Sequence, residues 1–111
     1  MFTVSGIGVI PKDDQVVERQ NNYGSYFNFT LVSKDPYKKQ RHYLKVSVQV
    51  PSENTEEARE ALQPGKGIQV RIGELVGRKL DSGFIAMDVT TKWRWIEPIK
   101  ALPIPGKKKD A

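Results

Sequence analysis

Apolar and polar side chains alternate with a period of two along most of this chain. That is the pattern of strands with one face on a core and one in water. The clearest run covers about residues 25–33. Phe27, Phe29 and Leu31 share one parity there; Tyr26, Asn28, Thr30 and Val32 share the other. A second run at about 42–50 sets Leu44, Val46, Val48 and Val50 against Tyr43, Lys45, Ser47 and Gln49. An earlier run places Phe2, Val4 and Gly6 on one parity, then Ile7 and Val9 on the other, across a Gly6-Ile7-Gly8 step where glycine marks a bulge or bend. Pro11-Lys12-Asp13-Asp14 ends that strand, and the polar stretch through Gln20-Asn21-Asn22-Tyr23-Gly24 has turn chemistry. Further on, Ile68, Val70 and Ile72 alternate. So do Ile85, Met87 and Val89, with the same strand continuing to Trp93 and Trp95. Arg78-Lys79-Leu80-Asp81-Ser82-Gly83 joins these last two strands as a hairpin with a turn glycine.

One segment departs from this period. Thr55 to about Leu62 reads as a short helix, with Asn54 as its cap, Glu57 placed for a capping box, and Pro64-Gly65 as its stop. Glu56 and Glu57 suit the positive end of the helix dipole. The predicted order is strand, strand, strand, helix, strand, strand. An all-β, five-stranded barrel with one short helix between strands three and four is the OB-fold layout. A five-stranded SH3-like barrel is the rival, but it does not need that helix. Residues 1–98 form the expected domain. Residues 99–111, rich in proline and lysine, read as a basic, flexible tail.

At 111 residues the chain is one domain's worth, and 38% hydrophobic content makes a thin core, so a homo-oligomer is expected. There is no cysteine, which excludes disulfides and thiolate metal sites. The N-terminus shows no charged n-region and no long apolar run, so neither a signal peptide nor a membrane span is expected. The cytoplasm is the expected compartment, and the Asn28-Phe29-Thr30 sequon is incidental. Catalysis finds little support. The single histidine, His42, starts a strand without a thiol or nearby carboxylate, and Gly65-Lys66-Gly67 is a turn, not a phosphate loop. Asp13-Asp14 reads as a loop, and Glu53, Glu56, Glu57 and Glu60 with Arg59 as a solvated helix face. No cofactor or metal is implied.

The formal net charge of +5 favours a polyanionic partner, and the placement of the charges sharpens this. The outward parity of strands two and three carries Tyr26, Asn28, Thr30, Tyr43, Lys45, Ser47 and Gln49. Such a face can stack bases on tyrosine and hold phosphates with lysine. The flanking loops add Lys34, Tyr37, Lys38, Lys39 and Arg41 on one side, and Arg78 and Lys79 on the other. The plain alternative is a solvated sheet face on which tyrosine serves as a good strand former. Trp93 and Trp95 share the parity of Ile85, Met87 and Val89, so core or subunit packing is favoured over stacking.

Three segments carry a family likeness: Val4 to Asp13, Gly24-Ser25-Tyr26-Phe27-Asn28-Phe29-Thr30-Leu31, and Leu62 to Val70 with Gly73-Glu74-Leu75. In order and spacing they resemble the bacterial single-stranded DNA-binding proteins over residues 3 to about 97. The resemblance implies non-catalytic, sequence-tolerant binding of single-stranded DNA, coating or protecting strands in replication or recombination in a bacterial or phage-infected cell. It also implies assembly as a dimer or tetramer. Aromatic rings stack on bases in that family from strand three, from the loop before it and from the last hairpin. Tyr43 and Tyr37 match the first two kinds of position. The hairpin position falls at Leu80 and a second strand-three position near Gln49, neither of them aromatic. The end Gly106-Lys107-Lys108-Lys109-Asp110-Ala111 lacks the family's acidic tip, so recruitment of partners through such a tip is not expected. A specialised phage-, plasmid- or mobile-element-type relative fits these departures. Two other readings stay open: an OB-fold protein-interaction module of primosomal type, and binding of single-stranded RNA, since stacking ignores the sugar.

Overall fold

The computed structural model describes residues 2–34, Tyr37 and residues 40–99. Its strands are β1 (Thr3–Val9), β2 (Val17–Asn21), β3 (Gly24–Lys34), β4 (Arg41–Val50), β5 (Gly67–Lys79), β6 (Ile85–Lys92) and β7 (Ile96–Ile99). The helix α1 spans Thr55–Ala61, between β4 and β5. The strands pair in the order β1-β3-β4-β6-β5, and β5 returns to pair with β1, which closes a five-strand ring. The β4–β6 pairing is parallel; the other pairings are antiparallel. This is the OB-fold, with β2 and β7 added to the expected strands.

The period-two reading of β3 and β4 holds. Phe27, Phe29 and Leu31 are buried, as are Val46, Val48 and Val50. They meet Ile68, Val70 and Val89 inside the ring, and Ile10 and Ile96 are buried in the same cluster. The helix closes this core with Ala58 and Leu62. Its first turn is anchored by a buried pair, Ser25 Oγ to Thr55 Oγ1 at 2.9 Å, so the polar groups brought inside are satisfied. The expected capping box does not form. Asn54 makes no side-chain cap bond, and its amide instead donates to Glu57 Oε1 at 3.2 Å. The chain enters the helix through a 3-10 turn, Ser52–Asn54, which leaves Asn54 near the bridge region (φ −107°, ψ 5°) rather than with the extended dihedrals of a usual cap.

Three further expectations need correction. The polar stretch before Tyr23 is not only a turn. Residues 17–21 form β2, which pairs with β3 from Val17↔Asn28 to Asn21↔Gly24. Its weak apolar content hid it, because β2 is an edge strand with little to bury. It is held to the helix by Glu18, which accepts from Arg59 at 2.8 and 2.9 Å.

The second correction concerns Ile72, which is 42% exposed rather than in the core with Ile68 and Val70. Val4 pairs with Gly73 and Gly6 with Val70, so Arg71 and Ile72 together oppose Ser5. This bulge shifts the phase of β5, and Gly73 and Leu75 turn inward after it. It lies where β5 changes partner, from β7 (residues 67–70) to β6 (residues 74–79). The Ile72 carbonyl accepts instead from the Thr91 hydroxyl.

Third, Trp93 and Trp95 do not continue β6. They lie in a 3-10 turn, Trp93–Trp95, that carries the chain from β6 into β7. Strand parity therefore does not apply to them, though Trp93 still packs against the core. β7 reaches Ile99, one residue beyond the expected domain limit, and the tail beyond it lies outside the described residues.

Two glycines are required by close approach to neighbouring backbone. Gly8 passes over β3, and a Cβ there would lie 2.9 Å from the Val32 carbonyl oxygen. Gly24, in the β2–β3 turn, has a φ of +133° and lies against the Val50 carbonyl. At Gly6 a Cβ would meet nothing within 4 Å, so no such constraint applies there.

Phe27→Ala should lower stability by about 3–5 kcal/mol in urea unfolding, as loss of a fully enclosed ring does. Gly24→Ala should also destabilise, by more than about 1 kcal/mol, while Gly6→Ala stays within about 0.5 kcal/mol of the wild type. Equal effects at the two glycines would contradict the geometry of the turn.

Candidate nucleic-acid interface

Directly opposed residues on neighbouring strands point to the same face. The register therefore assembles the outward residues of β3 and β4 into rows: Tyr26 opposite Gln49, Asn28 opposite Ser47, Thr30 opposite Lys45, and Val32 opposite Tyr43. The parallel pairing carries the rows onto β6, where Lys45 meets Asp88, Ser47 meets Thr90 and Gln49 meets Lys92. On the other side β2 adds Arg19 beside Tyr26. From Tyr43 to Gln49 the face runs about 20 Å along β4.

Two depressions mark the face. One, of 440 Å³, is lined by Asp14, Thr30, Lys45, Ser47, Arg78 and Asp88 among others. The second, of 330 Å³, includes Asp13, Asp14, Thr30, Arg41 and Tyr43 in its lining. Thr30 and Asp14 belong to both. Thr30 falls between the β2 pairing of β3, which ends at Asn28, and the β1 pairing at Val32. Its N–H donates to Asp14 Oδ2 at 2.9 Å, which satisfies an amide that neither strand covers and fixes the 10–16 loop beside the face.

The sequence-selected residues separate under this geometry. Tyr26, Asn28, Arg41, Tyr43, Lys45, Gln49 and Arg78 share the outward face. Tyr43 is 63% exposed, as a ring offered for stacking must be. Gln49 is engaged within the protein. Its amide donates to the Ser25 carbonyl at 3.0 Å and its oxygen accepts from Asn21 at 3.0 Å. Arg78 is also engaged, with Nε 2.9 Å from Asp88 Oδ2. Lys79 is one residue on, registers with Ile85, and takes the opposite parity from Arg78. Tyr37 is highly exposed in the loop before β4. Lys34 ends β3 in register with Arg41. Lys38 and Lys39 lie outside the described residues.

The structure adds residues that were not selected. Arg19 and Lys92 flank the Tyr26–Gln49 row, one from each outer strand. Arg19 was missed with its strand. Lys92 was missed because the β4–β6 pairing joins segments far apart in sequence. Phe84 is 75% exposed at the last hairpin, where Leu80 N–H donates to the Phe84 carbonyl at 2.8 Å. An aromatic ring therefore stands at the hairpin after all, across from Leu80 rather than on it. Its position next to the turn glycine Gly83 was the available signal.

The Arg78–Asp88 pair sets the electrostatics of the larger depression. The Arg78 hydrogen bond holds the Asp88 carboxyl below its ordinary range against some desolvation, with smaller help from the Arg78 and Lys45 charges. Arg59 does the same for Glu18. Among the described residues no group of three or more histidine and acidic side chains is gathered closely enough to hold a metal ion.

No protein-family model and no curated protein sequence matches the chain. Solved structures do match, and they define the class of fold. The chain is similar to the mitochondrial single-stranded DNA binding protein of S. cerevisiae. In one crystal form the TM-score is 0.64 at 15% identity, covering 88% of this chain and 93% of that one. In another crystal form of the same protein the TM-score is 0.62 at 16% identity, with 89% and 96% covered. The chain is also similar to the SSB of Plasmodium falciparum, solved in complex with single-stranded DNA. That match has a TM-score of 0.60 at 14% identity, covering 89% of this chain and 93% of that chain. At these identities the likeness is one of fold, and it agrees with the ring and helix described above.

Glu18 and Asp88 both have depressed folded pKa values. Their stabilisation is therefore complete above the unfolded values of about 4 and is lost as pH falls through the folded ones. Glu18→Gln should make the protein less stable at neutral pH and make its acid-side loss shallower, read as melting temperature against pH. An identical acid limb in the variant would show that Arg59 contributes nothing to this dependence.

Proposed function

We propose that this chain binds single-stranded DNA without catalysis, across the outward face of β3 and β4, and so coats or protects exposed strands. The observation that carries this reading is the alignment, in one face, of the exposed Tyr43 ring, the adjacent Lys45 and the flanking cations Arg41, Arg19 and Lys92. A ring takes the π-face of any base, and lysine or arginine takes the backbone whatever its sequence, so the arrangement suits a strand rather than a particular site on it. Phe84 at the hairpin and Tyr37 in the loop extend stacking beyond the sheet. The structural relatives are single-stranded DNA binding proteins, one of them solved with its DNA, and they support the same ligand class. Ile85 and Met87, exposed two residues apart on one side of β6, are the apolar surface through which a homo-oligomer would form.

Oligo(dT) should quench intrinsic fluorescence at low salt, with affinity falling steeply as salt rises. Tyr43→Ala should cost about 1–3 kcal/mol of binding. Lys45→Ala should weaken binding to all sequences alike and reduce the salt slope by roughly 0.7–1. The absence of any response to oligo(dT) at low salt would end this reading. A parallel titration with oligo(rU) decides between the sugars.

A further inference from the structure

The middle of the face holds a carboxylate where a strand-binding surface needs donors. Arg78 presents its guanidinium edge to Asp88, Nε at 2.9 Å from Oδ2 and Nη2 at 3.4 Å from Oδ1. Lys45 stands beside Asp88 in the parallel register. Asp14 lines the same depression but is committed to the Thr30 amide. The depression thus presents two cations, Lys45 and Arg78, and two carboxylates, Asp14 and Asp88. Their formal charges cancel at the centre of a face whose rims carry Arg41, Arg19 and Lys92.

A two-point guanidinium–carboxylate contact uses the same fork with which arginine takes a phosphate. Here both partners keep contact with water, the side chains being 47% and 27% exposed for Arg78 and Asp88. An exposed ion pair of this kind is worth little in water, so a polyanion can break it. Asp88 is nevertheless on a strand and opposite Lys45, so its effective concentration at the Arg78 fork is high. A lone phosphate competes poorly against a tethered carboxylate; a strand anchored elsewhere on the face competes on equal terms.

We propose that Asp88 is a built-in stand-in for a phosphate: it occupies the Arg78 fork in the free protein and is displaced when single-stranded nucleic acid binds. The proposal rests on the strand-binding reading above. It makes Arg78 a latent phosphate site, released by a strand long enough to hold the rims. It also makes Asp88 a brake on affinity, since the displaced carboxylate stays beside the strand.

The test uses the full chain, fluorescein-labelled oligo(dT) and anisotropy at several salt concentrations. Asp88→Asn keeps the shape and removes the charge. It should bind about three- to tenfold more tightly at low salt, with a salt slope steeper by roughly 0.7. Arg78→Gln should weaken Asp88→Asn more than it weakens the wild type. Unchanged or weaker binding by folded Asp88→Asn, with melting temperature as the check on folding, overturns the proposal. A second measurement needs no variant. In carboxyl carbon NMR of the wild type, the Asp88 titration midpoint should rise when oligo(dT) is bound, because the carboxylate has lost Arg78 and gained a phosphate neighbour. A midpoint that does not move also overturns it. A wild type that ignores oligo(dT) altogether refutes the strand-binding reading itself, which separates the two failures.

Discussion

Closing a short sheet into a ring demands that one strand be shared, and in this protein β5 is that strand. It pairs with β1 on one edge and with β7 and then β6 on the other. No straight strand can serve partners that diverge in this way, so β5 carries a bulge at Arg71 and Ile72, where the partner changes. The other features follow. The bulge turns β5 toward β6, β6 lies parallel to β4, and the remaining edge of β4 meets β3. The core is the set of side chains this path turns inward, with the helix set over one end of it.

The same closure makes the candidate interface. β3 and β4 are neighbours in sequence and would form a hairpin in almost any sheet. β6 comes beside β4 only because the ring closes, and it brings Asp88, Thr90 and Lys92 onto a face that β3 and β4 had begun. The face is therefore mixed in charge. Its rims are cationic, while its centre pairs Arg78 with Asp88 and ties Asp14 to the Thr30 amide. A surface of this kind relies on several contacts made together. That suits a polymeric ligand better than a small anion.

The helix shows how a local signal can be right in kind and different in mechanism. Its position was legible from Asn54, the glutamates and Pro64-Gly65. The capping box was not realised, because the 3-10 turn before the helix changes the backbone at Asn54. The anchor is instead the Ser25–Thr55 hydroxyl pair, formed across 30 residues of sequence. Its glutamates do form a solvated face, and Arg59 on that face reaches across to hold Glu18 of β2 while staying within 3.7 Å of Glu56.

What the sequence by itself determined is everything that depends on a two-residue period or a local stop. It determined the inward sets of β3 and β4, the outward set that includes Tyr26, Asn28, Tyr43, Lys45 and Gln49, the helix, and the last hairpin. Side-chain alternation is a property of the extended backbone, so it needs no partner to be read. The tertiary structure alone decided where that period breaks and which strands meet. It turned Ile72 outward and placed the tryptophans in a turn. It made a strand of residues 17–21. It put Asp88 in the Arg78 fork. Each of these depends on contacts between segments remote in sequence, or on the bend that ring closure imposes, and neither leaves a periodic trace along the chain.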